Sequence, residues 1–189
     1  GAIVNRGVEL DFGADLVRVG GFVWNVSANV SYNRNKITVL YNGLDEYEMS
    51  TTGTKLVVGH SVGEYFMNRY AGVNPANGDA LWYDKDGNIT GEFNASDKVM
   101  TGVTYIAPWQ GGFATALSWK GIALNAQFSW VADRYVFNND RYFEESNGLY
   151  SAYNQSRRIL YDRWKNPGDI TDIPRYGVTP QIDRRFLEN

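Results

Sequence analysis

The stretch Asp84-Lys85-Asp86-Gly87-Asn88 has the residue types that open an EF-hand calcium loop, in which oxygen ligands at alternate positions converge on one cation. Such a loop also needs a bidentate acidic residue at its twelfth position. Counted from Asp84 that position is Ala95, so the stretch reads as a tight turn. His60 is the single histidine and cysteine is absent, so no histidine metal cluster, catalytic triad or thiolate site can be assembled. Asp45, Glu46 and Glu48 gather carboxylates, but nothing around them marks a pocket that would shift a pKa towards acid–base work. They read as a solvated loop face. Neither a cofactor nor an enzyme is expected, and no residue is assigned a catalytic role. The remaining candidates are aromatic: Trp82, Tyr83, Trp109, Tyr135, Phe137, Tyr142 and Phe143 offer flat faces for sugar rings, with Asn and Asp nearby for hydroxyls. The same rings would also serve to pack the loops on themselves or against a partner.

These residues lie on segments that must be positioned by something more regular, and the regular part of the chain is alternating. In "FVWNVSANVSYN", residues 22–33, Phe22, Trp24, Val26, Ala28, Val30 and Tyr32 share one face of an extended chain. Asn25, Ser27, Asn29, Ser31 and Asn33 share the other, and Val23 alone breaks the pattern. Upstream, "GVELDFGADLV" sets Val8, Leu10, Phe12, Ala14 and Leu16 against Glu9, Asp11, Gly13 and Asp15, and Gly20-Gly21 reverses the chain. A second hairpin of the same design, "FATALSWKGIALNAQFSW", turns at Lys120-Gly121 and opposes Asn125, Gln127 and Ser129 to Ile122, Leu124, Ala126, Phe128 and Trp130. Each hairpin needs one oily side and one wet side. A soluble sandwich buries the oily face, whereas a membrane barrel turns it to lipid.

Segments 35–110 and 133–185 are too long to be structureless connections. Asp86-Gly87 reads as the turn of a small hairpin in the first. "YNQSRRILYDRW" reads as a helix in the second, with Asn154 as its N-cap, Ile159, Leu160 and Trp164 packing it, and Pro167-Gly168 ending it. The net charge of −3 and the scattered Lys and Arg give no footprint for nucleic acid. No run suits a membrane helix and the first residues have no signal-peptide pattern, neither of which speaks against a barrel. Minimal turns at one end and long connections at the other are the asymmetry of outer-membrane barrels. The expected fold is therefore all-β, an antiparallel transmembrane β-barrel segment of about four strands, near 7–19, 22–34, 111–119 and 122–132. Four strands leave the barrel incomplete. Asn25, Ser27, Asn29, Asn125 and Gln127, with Glu9, Asp11 and Asp15, would face the lumen, and Trp24, Tyr32, Trp119 and Trp130 would anchor at the lipid interfaces.

The loops carry a resemblance that alternation cannot supply. "VVGHSVGEYFMNRYAGVNPANGDALWYDKDGNIT", residues 57–90, resembles the VGxxxGxFYGYxxxGxxPxTGxxxYxDxDGN pattern of SusC/RagA-type TonB-linked outer-membrane transporters. "WQGGFATALSWKGIALNAQFSW", residues 109–130, resembles that family's GGFxxxxxYKGFDLxxxF hairpin. "RWKNPGDITDIPRY" and "DRRFLEN", residues 163–176 and 183–189, continue the match in the same order. The family's FYGY stands here as "YFMN", and His60 takes a place often held by glutamine.

The resemblance implies a piece from the carboxy-terminal part of a barrel of about 22 strands, without the TonB box or the plug domain. It further implies uptake of oligosaccharides, or in some members peptides, across the outer membrane of a Gram-negative-type cell. The implied partners are a SusD-like surface lipoprotein lid, outer-membrane lipid, and the TonB complex acting through the absent plug. A soluble β-rich carbohydrate-binding or adhesive module is the alternative from the residues themselves. A β-sandwich hydrolase lacks an assembled carboxylate pair or nucleophile.

Overall fold

The computed structural model describes residues 1–49, 53–150 and 152–189. The first hairpin joins β1 (Ala2–Val19) to β2 (Phe22–Val39). Gly20 and Gly21 sit at φ 57° and 79°, the left-handed backbone that a two-residue I′ turn requires at both central positions. The connection that follows carries β3 (Glu46–Met49), β4 (Thr54–Val57), β5 (Glu64–Met67), β6 (Arg69–Val73), β7 (Ala80–Tyr83), β8 (Ile89–Thr90) and β9 (Val99–Thr104). The second hairpin is β10 (Trp109–Trp119) and β11 (Ile122–Ala132), turning at Lys120 and Gly121 with φ 48° and 86°. Beyond it come β12 (Val136–Phe137), α1 (Asn139–Glu144), α2 (Arg157–Tyr161) and β13 (Leu187–Glu188). Both helices are short, and the chain is otherwise an all-β, antiparallel structure.

The two hairpins form one four-stranded sheet in the order β1-β2-β10-β11. Its strands do not close into a barrel; among the described residues β1 and β11 keep open outer edges. β1 and β2 run well past the alternating stretches, to Ala2 and Val39, because backbone pairing continues where the even positions turn from apolar to Arg6, Arg34 and Lys36. A bulge corrects one face assignment. Asp15 pairs with Asn25 and Val17 with Trp24, so Leu16 is the extra residue, and Val17 and Val19 continue the apolar row in its place.

The long connections fold into a module of three small sheets, β3-β4-β5-β9, β6-β7-β8 and β12-β13. The expected turn at Asp86-Gly87 joins β7 to β8, pairing Trp82 with Thr90 and Tyr83 with Ile89. The expected helix is shorter than the sequence suggests and starts later. Ser156, not Asn154, caps α2, its hydroxyl accepting the Arg158 N–H from an extended backbone. Ile159 is buried as expected, but Leu160 is exposed, and α2 ends at Tyr161, well before Pro167. The chain stops there because Asp162 caps it and Asp169 takes the N–H groups of Lys165 and Asn166 in a turn of its own.

The module's centre is Phe186, fully buried on a one-turn 3-10 helix, Arg184–Phe186, that Asp183 caps. The segment 183–188 is threaded between the two connections. Asn68 bridges to Asp183, the Arg184 N–H donates to the Asn68 carbonyl, and the Asn138 N–H donates to the Phe186 carbonyl. One short segment thereby ties both long connections together.

Candidate functional site

The register resolves the sheet into two chemically distinct faces. Reading across β1, β2, β10 and β11, one face carries rows such as Leu10-Val30-Gly111-Trp130, Phe12-Ala28-Phe113-Phe128 and Ala14-Val26-Thr115-Ala126. Leu10, Phe12, Leu124 and Phe128 are each about 60% exposed, so among the described residues nothing covers this apolar surface. Aromatics bound it. Phe22 and Trp119 pair at the short-turn end with Trp24 one row in, while Tyr32, Trp109 and Trp130 mark the loop end. Phe22 and Tyr32 stand ten residues apart, about 33 Å of strand, or about 25 Å of height at a tilt near 40°, the height of a barrel's apolar band. Trp24 also donates its indole N–H to the Thr115 hydroxyl at 2.9 Å, which satisfies both polar groups on this face.

The opposite face is polar or small. Asn25, Ala116 and Asn125 share a row, as do Ser27, Ala114 and Gln127, and Asn29, Gly112 and Ser129. Asn25 donates to Asp15 at 3.0 Å, and Asp15 also pairs with Arg18. The loop module folds over this face. Asn35 accepts from the Ser61 hydroxyl and the Val62 N–H, and Ile37 lies buried beneath the 57–60 segment, with which it exchanges backbone hydrogen bonds. Gly111 marks a close approach on the apolar face. A Cβ there would meet the Trp130 ring at 2.7 Å and the Asn29 carbonyl at 2.4 Å. Gly111→Val is accordingly expected to cost about 1–3 kcal/mol by overpacking. The variant protein should show a lower unfolding midpoint and a shifted Trp130 environment, whereas Gly13→Val, which meets no atom closer than 4.0 Å, should do neither.

The loop candidates separate by burial. Trp82 is 4% exposed, held edge-on between Tyr70 and Phe93, and presents no face to a ligand. Tyr83 lies under the Arg69 guanidinium. Trp109 belongs to the barrel-type sheet rather than to a loop and packs on Tyr32 with ring centroids 4.5 Å apart. Phe137, Tyr142 and Phe143 join Tyr150, Tyr153 and Phe186 in one cluster of tilted and edge-to-face rings. Phe137, Tyr142 and Phe143 each keep a partly exposed surface. Tyr135 lines a cleft of about 940 Å³ where the sheet meets the loop module, together with Arg6, Tyr32, Arg34, Lys36 and Trp109. His60 and Glu64 lie in its wall, joined at 3.0 Å, and the other Glu64 oxygen accepts the Gly102 N–H. The Asp84 carboxylate is taken up by its own turn, accepting from the N–H groups of Asp86 and Asn88 and from the Asn88 amide, which lowers its pKa. Asp45, Glu46 and Glu48 are exposed; Glu46 pairs with Lys55 and Glu48 with Lys98.

No protein-family model matches the chain. TonB-dependent receptor P39 of Formosa agariphila is 24% identical over the whole chain, and TonB-dependent receptor P26 of the same organism is 25% identical over 94% of it. Among solved structures, the RagAB peptide transporter superimposes with a TM-score of 0.91 at 33% identity over 99% of the chain. The RagAB peptide importer in its closed-closed state gives 0.89 at 34%. The chain has the fold of a RagA-type barrel segment and is similar along its whole length to TonB-dependent receptors. It spans about a fifth of the length of each of these relatives: 22% of P39, 19% of P26 and 21% of the RagAB chain.

Within this barrel segment, sequence reasoning missed the hub at 183–188. Asp183 is fully buried, 3.3 Å from the Arg185 guanidinium, and accepts the Arg185 N–H at 2.8 Å. Glu145, also buried, is held between Arg141 and Arg158. The signal was the D-x-R-F spacing, an acidic cap before a one-turn helix, which is visible but common. Burial pushes the Asp183 carboxyl up to about 6, against the opposing pull of Arg185. A carboxyl whose folded pKa exceeds its unfolded one, near 3.8, contributes most below that value and loses its contribution as pH rises through about 6. The shift amounts to on the order of 3 kcal/mol. Asp183→Asn should flatten that dependence: between pH 4 and pH 7 the unfolding midpoint of the loop module should fall further in the wild type than in the variant. Equal pH slopes in intrinsic-fluorescence melts would contradict the assignment.

Proposed function

We propose that this chain forms part of the wall and extracellular rim of an outer-membrane importer. The apolar face meets lipid, the polar face with Asn25, Ser27, Asn29, Asn125 and Gln127 lines the lumen, and Trp24, Tyr32, Trp119 and Trp130 sit at the two interfaces. The observation that carries this reading is the uncovered apolar face about 25 Å tall, bounded by aromatics, on a fold that superimposes on the RagAB peptide transporter. In hydrocarbon every backbone N–H and C=O needs a partner, so the open edges of β1 and β11 call for neighbouring barrel strands. No catalytic step is assigned. The cargo is an oligosaccharide or a peptide, a SusD-like lipoprotein seats on the loop module, and TonB drives the cycle through a plug domain elsewhere in the protein.

The alternative of a soluble glycan-binding module would need the apolar face buried and the loop aromatics presented. The sheet leaves the first bare and the loop module spends most of the second on its own packing. The test is uptake by cells carrying the full-length transporter as sole importer, supplied with labelled peptides or labelled oligosaccharides. TonB-dependent accumulation of either supports the reading. Accumulation unaffected by loss of TonB, or none of either cargo, would overturn it.

A further inference from the structure

The outward face changes character abruptly at the loop end. Below Tyr32 its even positions are Val8, Leu10, Phe12 and Ala14 on β1 and Ala28 and Val30 on β2. Above it they are Arg6 opposite Arg34, and Lys36 opposite Val4. Like charges placed directly across a strand pair repel. Yet none of these three exposed cations has an ion-pair partner among the described residues, whereas Lys55, Lys98, Arg141 and Arg158 of the loop module are each matched by a carboxylate. All three line the 940 Å³ cleft, whose floor on this side is the Tyr32–Trp109 ring pair. The cleft's carboxylates are Glu64, already engaged by His60 and the Gly102 N–H, and Asp133.

We propose that Arg6, Arg34 and Lys36 bind the phosphorylated headgroup of an outer-leaflet lipid, with Tyr32 and Trp109 against its backbone and its chains along Val8, Leu10 and Val30. The inference rests on the wall reading above, because only a lipid-facing band continues directly into a headgroup layer. The occupant is fixed by continuity and charge. An unbroken apolar stripe, an aromatic pair and three unpaired cations in vertical order match chains, interface and phosphate of a single amphiphile. A guanidinium pair offers forked N–H donors suited to phosphate oxygens. A soluble anion would find the cations but gain nothing from the stripe below them.

The test uses the full-length transporter in nanodiscs of phosphatidylcholine doped with a phosphate-monoester lipid, phosphatidic acid, with retained lipid counted by native mass spectrometry. Wild-type protein should retain the phosphorylated lipid over phosphatidylcholine. The triple variant Arg6→Gln, Arg34→Gln, Lys36→Gln should lose that preference by about a hundredfold, at roughly fivefold per cation. Lys85→Gln, at the exposed tip of the β7–β8 turn, should retain it. Equal retention by wild type and triple variant would overturn the proposal. So would displacement of the lipid by millimolar inorganic phosphate, which would mark a solute-anion site. A separate arm protects the attribution: a fluorophore on Leu10→Cys should be quenched by brominated acyl chains whatever the headgroup. Without that quenching the wall reading itself fails, whereas quenching without selective retention sinks only the headgroup site.

Discussion

On the proposed wall-and-rim reading, replacing Val26 by arginine in the full-length protein is expected to reduce the heat-modifiable, folded fraction in the outer membrane at least tenfold, whereas Asn29→Arg should leave assembly near wild type. Val26 lies near mid-height of the apolar face, in the row Ala14-Val26-Thr115-Ala126, with no acidic residue in that row to pair a new cation. A lysine or arginine on the lipid face of a barrel at mid-plane costs about 2–4 kcal/mol. Asn29 points to the other face, in a row with Asp11, Gly112 and Ser129, where a guanidinium meets water and a carboxylate. Its effect should appear in passage of cargo instead. Gel mobility with and without heating reads the first quantity and uptake reads the second. The reverse pattern would mean that the faces have been assigned backwards.

The second large effect is expected in the loop module. Phe186→Ala removes a fully buried ring that packs against Phe137 at 6.0 Å and Tyr142 at 5.3 Å, with the Arg185 guanidinium over it at 4.6 Å. Truncations of this kind cost about 3–5 kcal/mol. The residue also sits on the segment joining the two long connections, so its loss should loosen both while the four-stranded sheet persists. Proteolytic cleavage within 133–182 should accelerate about a hundredfold or more, with the heat-modifiable barrel retained. Ile170→Ala, at a side chain 89% exposed, should cleave at the wild-type rate. Unchanged protection in the Phe186 variant would remove the hub from the account.

The alternation at 22–32 was legible because side-chain direction in a strand has period two and depends only on the neighbours in sequence. The same locality made the Gly20-Gly21 and Asp86-Gly87 turns readable, since positive φ is a property of single residues. It failed at Leu16. Whether a bulge falls before or after that residue is set by β2 across the ladder, and nothing in "ADLVRV" announces it. Asn154 and Ser156 are both good caps by residue type, and the structure uses Ser156, with Ile159 buried in the turn that follows. Trp82 read as a ligand platform because its type is right, but its burial depends on Tyr70 and Phe93, brought over it by pairing and by the turn after β8.

The cations Arg6, Arg34 and Lys36 show the same limit from the other side. The sequence separates Arg6 from Arg34 by 28 residues, and only the β1–β2 register sets them opposite each other, above Tyr32 and beside Trp109. By itself, then, the sequence determined that two hairpins with one oily and one wet face exist and where they turn. The tertiary structure decided that the hairpins lie side by side as one sheet, that the loop module covers the polar face at one end, and that the 183–188 segment locks the module. Those outcomes depend on contacts between residues distant in the chain, whose energies arise only once burial and register bring them together.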